Sequence, residues 1–147
     1  MERGFQFFFG GVSMLTDMNE IKSMLDGAQV VAIVGLSPKE NRPSNMVGRY
    51  LQEVGFTIIP VNPGQTEILG ERCYPTLADI PVRVDIVDVF RRPEDVLPIA
   101  EEAVAIGART LWLQLGVVNG EAAEVARDAG LSVVMDRCLK VDHSDLF

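Results

Sequence analysis

Four cations in a chain of net acidic charge fall in two short segments, each following a stretch rich in β-branched residues. Lys39 and Arg42 lie in Gly35-Leu36-Ser37-Pro38-Lys39-Glu40-Asn41-Arg42-Pro43-Ser44, directly after Val30-Val31-Ala32-Ile33-Val34. Arg91 and Arg92 lie in Val89-Phe90-Arg91-Arg92-Pro93-Glu94-Asp95. Gly35 lets the chain turn sharply off a strand, and Pro43 suits the first turn of a helix. Ser37, Lys39, Asn41, Arg42 and Ser44 place donors just ahead of that helix, whose free N–H groups and positive dipole end attract phosphate. The guanidinium groups of Arg91 and Arg92 suit bidentate phosphate contacts. The chemistry this set supports is capture of a small phosphate-bearing ligand. The blander alternative for the two arginines is a solvated pair balanced by Glu94 and Asp95.

Three further segments extend the candidate site. Pro60-Val61-Asn62-Pro63-Gly64 makes a rigid turn where an adenine ring could lie. Gln114 ends an apolar run, and Gly116 permits close backbone approach by a ligand. Met135–His143 gathers Cys138, His143, Asp136 and Asp142. A Cys138–His143 nucleophilic pair is conceivable, but the spacing fixes no geometry and no oxyanion donor is evident. A buried cysteine and a hydrogen-bonded histidine are the simpler reading. Cys73 and Cys138 have neither a disulfide framework nor metal-ligand spacing. The dinucleotide fingerprint would put glycines at 35, 37 and 40, where the chain has Gly35, Ser37 and Glu40. An NAD site also calls for an acidic residue closing the second strand, where Asn62 stands. Both departures count against NAD(H).

The elements that must position these segments alternate. Asp17-Met18-Asn19-Glu20 has capping-box spacing and opens a short helix to about Asp26. Strands are expected at Val30–Val34, Phe56–Val61, Val84–Phe90, Thr110–Leu115 and Leu131–Met135. Helices are expected from Pro43 to Gly55, Pro93 to Gly107 and Glu121 to Gly130, with a single helical turn at Thr76–Ile80. Asp85 and Asp88 interrupt the third apolar run, and Asp136–Phe147 shows no clear period. Alternation of this kind predicts an α/β fold. The expected form is a single doubly wound parallel sheet of about five strands, order 3-2-1-4-5, with helices on both faces. Its ligand would sit at the strands' carboxyl ends, near the switch point between strands 1 and 4.

Length and charge bound the rest. At 147 residues, 48% apolar and 23% charged, with mean hydropathy +0.19, one globular domain is expected. Residues 17–147 form that domain. Residues 1–16 read as an extension, either disordered or an over-extended gene start with initiation at Met14 or Met18. The net charge of −8 argues against nucleic acid as a partner. No apolar run approaches the ~20 residues of a membrane span, and no metal site is expected. A cytoplasmic, reduced protein is the simplest expectation, with any protein partner unspecified.

Together, Val31–Ser37, Pro60–Gly64, Val84–Pro93, Trp112–Gly116 and Val133–Cys138 resemble the bacterial stand-alone CoA-binding domain proteins of the YccU type. They are also similar to the N-terminal CoA-binding domain of the succinyl-CoA synthetase α subunit. The resemblance implies a Rossmann-like fold with coenzyme A across the strand ends. It implies that Gly35, Leu36, Ser37 and Arg42 meet the CoA phosphates and that Val61, Asn62 and Pro63 flank the adenosine. Phe90 and Arg91 would line the third loop, with Gln114 and Gly116 facing the pantetheine arm. Lys39 and Arg92 complete the basic rim. Gln65 stands where the synthetase has a lysine, and Leu139 where many stand-alone relatives have a proline. The synthetase's phosphohistidine domain has no counterpart here, so succinyl-CoA synthesis by these residues alone is not expected. The leading reading is a non-catalytic CoA or acyl-CoA binding module or sensor, with no catalytic residue. The alternative is an enzyme acting on an acyl-CoA or using the Cys138 thiol, and the third is an NAD(H)-binding redox sensor.

Overall fold

The structure, a computed structural model, describes residues 14–147. The extension expected over residues 1–16 therefore lies, for residues 1–13, outside the described residues. Met14 bridges in parallel to Val133, and Leu15 N–H donates to the Val133 carbonyl at 2.8 Å.

Helix α1 (Met18–Asp26) is capped by Asp17, whose carboxylate accepts from Asn19 N–H at 2.7 Å, and it buries Ile21 and Leu25. The apolar run Val30–Val34 forms β1, and α2 (Pro43–Glu53) starts at Pro43 with Arg42 as its N-cap. Strand β2 (Thr57–Val61) is followed by a two-stranded hairpin of β3 (Glu67–Ile68) and β4 (Glu71–Arg72), which the sequence reading did not anticipate. A 3-10 turn at Leu77–Asp79 leads to β5 (Ile86–Val89). A second 3-10 turn, Pro93–Asp95, precedes α3 (Val96–Ala105). Then come β6 (Thr110–Leu113), α4 (Gly120–Asp128), β7 (Ser132–Met135) and α5 (Leu139–Leu146). The helix α5 replaces the aperiodic tail expected after Asp136.

The α/β class, the five parallel strands and the helices on both faces are as expected. The sheet order is β2-β1-β5-β6-β7. Counting its five strands along the chain, this is 2-1-3-4-5 rather than 3-2-1-4-5. The strand at 86–89 pairs with β1, Val31 opposite Ile86, instead of lying outside β2. The physical reason is burial. All four β5 residues are buried, as a central strand requires, whereas an edge position would wet one flank. Asp85 also fixes the pairing, since its carboxylate accepts from both Gln29 N–H and Val30 N–H at 2.9 Å. The switch point moves accordingly, from between strands 1 and 4 to between β1 and β5.

Two apolar layers flank the sheet. One joins β-strand residues Ile33, Ile86, Trp112 and Val134 to Ile21 and Leu25 of α1, Val47 and Leu51 of α2 and Leu139 of α5. The other joins Val87, Val89, Leu111 and Leu113 to small residues of α3 and α4, among them Ala100, Ala103, Ala122, Ala123 and Ala126. Among the described residues no helix is long and apolar enough to cross a membrane.

Candidate functional site

The strands' carboxyl ends open at the β1–β5 switch point into a cleft of about 710 Å³. Pro43 and Val47 of α2 form one side, Phe90, Arg91, Arg92 and Asp95 the β5 side, and Gln114, Leu115, Val117 and Cys138 the far wall.

The loop after β1 is built by close backbone approach. Gly35 has φ +88°, and a Cβ there would fall 2.4 Å from the Phe90 carbonyl oxygen. Its N–H donates to the Val61 carbonyl at 2.9 Å. Beyond it the loop is held by its own polar groups. Ser37 N–H donates to Ser44 Oγ and Lys39 N–H to Ser37 Oγ, at 2.9 and 3.1 Å. Asn45 Nδ2 donates to the Ser37 carbonyl, and Arg49 Nη2 to that of Glu40. Asn62 ties this loop to the next, donating through Nδ2 to the Leu36 carbonyl at 3.0 Å while its Oδ1 accepts from Gly64 N–H. No side chain caps α2: Pro43 at its start has no N–H, and Ser44 and Asn45, which follow, are buried.

The expected residues separate in this frame. Phe90, Arg91, Arg92 and Gln114 line the cleft, and Gly35, outside the lining, packs closely against the Phe90 backbone. Leu36 and Val61 turn their side chains into the core. Ser37 and Asn62 hold the loops. Lys39, Arg42, Pro63 and Gly116 are exposed and outside the lining, and Gly116 N–H donates to Asp136 Oδ1 at 2.7 Å. The two arginines differ. Arg92 is engaged by Asp95 at 2.9 Å and Glu94 at 3.7 Å, and the Arg92 hydrogen bond holds the Asp95 carboxyl below its usual range. Arg91 makes no salt bridge among the described residues and stays available to an anion.

Sequence reasoning missed Pro43, Val47, Leu115 and Val117 as lining residues, because an apolar wall has no motif. It also gave Cys138 a buried role, whereas Cys138 is half-buried in the cleft wall. Cys138 and His143 are not brought together. His143 lines a separate pocket of about 230 Å³ with Phe56 and Phe147. Its Nδ1 lies 2.7 Å from the Tyr50 hydroxyl, and its ring stacks on Phe147 at 4.7 Å. Burial lowers the His143 pKa from its ordinary 6.5. The unfolded chain thus binds the proton more readily, so this group's contribution is complete above about pH 6.5 and is lost as pH falls below it. Denaturation midpoints taken from pH 8 down to 5 should therefore drop more steeply for the native protein than for His143→Phe. Parallel profiles would remove His143 as the cause.

Residues 29–144 match the family model described as CoA binding domain. The chain is 42% identical over 125 residues to YneT of Bacillus subtilis (strain 168), covering 85% of this chain and 93% of that one. A Thermus thermophilus protein, solved as cell-free ID.343, superposes with TM-score 0.86 at 37% identity, over 90% of this chain and 100% of that chain. The ADP-forming acetate–CoA ligase I of Archaeoglobus fulgidus is 29% identical over 129 residues, which are 80% of this chain but 19% of the ligase.

Proposed function

The chain belongs to the CoA binding domain family, and from that premise we propose that it binds coenzyme A or an acyl-CoA at the β1–β5 switch point without chemistry of its own. The observation that carries this reading is the cleft itself: a concave site of about 710 Å³ with Arg91, which makes no salt bridge among the described residues, on one side and the start of α2, without a side-chain cap, on the other. Its size falls in the range of nucleotide and cofactor pockets, roughly 300–1,000 Å³. Its donors fit the ligand. Arg91 and the α2 N-terminus suit phosphate, and the Gly35 turn keeps bulk away from the crevice. The apolar wall of Phe90, Leu115 and Val117 suits the pantetheine arm, leading toward Cys138. The separation of Cys138 from His143 supports a binding rather than a nucleophilic role. A second reading, thiol chemistry, draws on the place of Cys138 in the cleft wall. Under it Cys138→Ser abolishes turnover of an acyl-CoA; under the first, binding survives unchanged.

A thermal-shift and calorimetry panel of CoA, acetyl-CoA, dephospho-CoA, NAD, ATP and FAD tests the reading. CoA at 100 times its dissociation constant should add about 2.7 kcal/mol to stability. A response to NAD at least as large as that to CoA sinks the proposal. Arg91→Ala should weaken CoA binding by about tenfold, the scale of a lost hydrogen bond to a charged group, with the loss shrinking as salt rises. Arg92→Ala should do less, since Asp95 and Glu94 already hold that guanidinium. Equal losses would remove the distinction between the two.

A further inference from the structure

Asp88 sits at the centre of the sheet, opposite Ile33 on one side and Trp112 on the other. It is fully buried, and neither carboxylate oxygen has a hydrogen-bond partner among the described residues. The nearest polar group in its row is committed elsewhere, because Trp112 Nε1 donates to the Arg137 carbonyl at 2.8 Å. Such a group is costly, and native proteins rarely leave one without a use. A leucine of similar bulk would fill the same place in an apolar layer, so packing alone does not account for an acid there.

Position supplies the account. Ile33 and Trp112 belong to the layer beneath α2 and α5, and strand alternation places the Asp88 side chain in that layer too. Two residues further along the same face come Phe90 and Gln114, both in the cleft wall, joined there by Val47 and Cys138. Asp88 thus lies about 7 Å below the wall, two strand residues down. Phe90, half-buried, is the next residue of that face on the same strand, so access to Asp88 calls for a movement of wall side chains, a change of the kind common on binding.

Resting on the CoA reading above, we propose that the Asp88 carboxyl is the hydrogen-bond donor that reads the acyl carbonyl of a thioester, so that the cleft prefers an acyl-CoA to free CoA. Burial without partners holds this carboxyl well above the usual carboxylate range, and in its acid form it carries one O–H donor. A thioester offers a carbonyl oxygen at that end of the ligand, whereas a free thiol is a weak acceptor. The amide carbonyls of the pantetheine arm are common to both ligands and cannot produce a preference.

Calorimetry of the native protein, Asp88→Asn and Asp88→Leu with acetyl-CoA and CoA provides the test. The native protein should prefer acetyl-CoA by about three- to tenfold, the size of one neutral hydrogen bond. Asp88→Asn, which keeps an N–H donor, should retain the preference. Asp88→Leu should lose it while binding CoA as before. Difference infrared spectra of the native protein should show the carboxylic-acid carbonyl band moving on addition of acetyl-CoA but not of CoA, with no such band change in Asp88→Asn. Equal affinity of the native protein for the two ligands, a preference that survives in Asp88→Leu, or equal weakening of both ligands by that variant each overturns the proposal. If Asp88→Leu does not fold, the infrared measurement decides, and an unmoved band counts against Asp88. A native protein that binds neither ligand would instead overturn the CoA reading itself, and this proposal with it.

Discussion

Gly35→Ala should destabilise the protein by roughly 3 kcal/mol or more, among the largest losses open to a single methyl group. Two costs add. An L residue at φ +88° is strained by itself, at about 1–2 kcal/mol. The new Cβ would also meet the Phe90 carbonyl oxygen at 2.4 Å, and that atom belongs to backbone that cannot swing aside. Relief requires the ends of β1 and β5 to part, at the expense of Phe90 N–H to Val34 O at 2.9 Å. Gly130→Ala is the matched control, with φ +96° but nothing within 4 Å of its Cβ. It should lose only the conformational part. Urea titrations would read both as a lower midpoint at unchanged slope. Similar midpoints for the two variants would show that close approach at the switch point costs nothing. Because Phe90 and Arg91 line the cleft, a shift of their backbone in Gly35→Ala should also weaken any nucleotide bound there.

Trp112→Ala should cost about 3–5 kcal/mol, the range for emptying a buried aromatic site. Trp112 is fully buried on β6, between Asp88 and Val134. Its indole N–H also holds the carbonyl of Arg137, the residue before Cys138. Trp112→Phe separates the two roles. It keeps much of the volume and removes the donor, leaving the Arg137 carbonyl short of a partner at a cost of about 1–3 kcal/mol. If the Arg137 contact holds the cleft's far wall, Trp112→Phe should lower ligand affinity as well as stability. Loss of stability with native affinity would confine Trp112 to the core.

The sequence made the individual strands easy to find and their arrangement hard. Val30–Val34 is an apolar run rich in β-branched residues and followed by a glycine, which local preference alone suffices to identify. Whether the strand at 86–89 lies beside β1 or outside β2 depends on pairings across tens of residues, among them the Asp85 bonds to Gln29 and Val30, and periodicity carries no trace of those. The helix α5 escaped notice for a different reason. Leu139–Leu146 reads Leu-Lys-Val-Asp-His-Ser-Asp-Leu, with few apolar residues to mark a face. It docks through Leu139, fully buried in the layer it shares with α2, and through His143, which meets Tyr50 far back in the chain, while the buried Asp142 is held locally by Arg137.

The candidate site was legible in the same uneven way. Phe90, Arg91 and Gln114 follow strands, and their position marks them. Nothing in the adjacency of Arg91 and Arg92 says that Asp95 and Glu94 would engage the second and leave the first. Asp88 was visible as a polar break in an apolar run. Only the fold shows that the break falls in the central strand, with no partner for its oxygens among the described residues.

The alanine-lined packing of α3 and α4 bears on how the protein could be altered. Ala100, Ala103, Ala122 and Ala126 have no exposed surface, and a larger side chain at any of them must push a helix off the sheet. The layer under α2 and α5 is filled by leucine, isoleucine and tryptophan, which can be trimmed to make room. Directed evolution toward bulkier ligands should therefore accumulate its productive substitutions beneath α2 and α5, while the opposite side serves as a fixed keel.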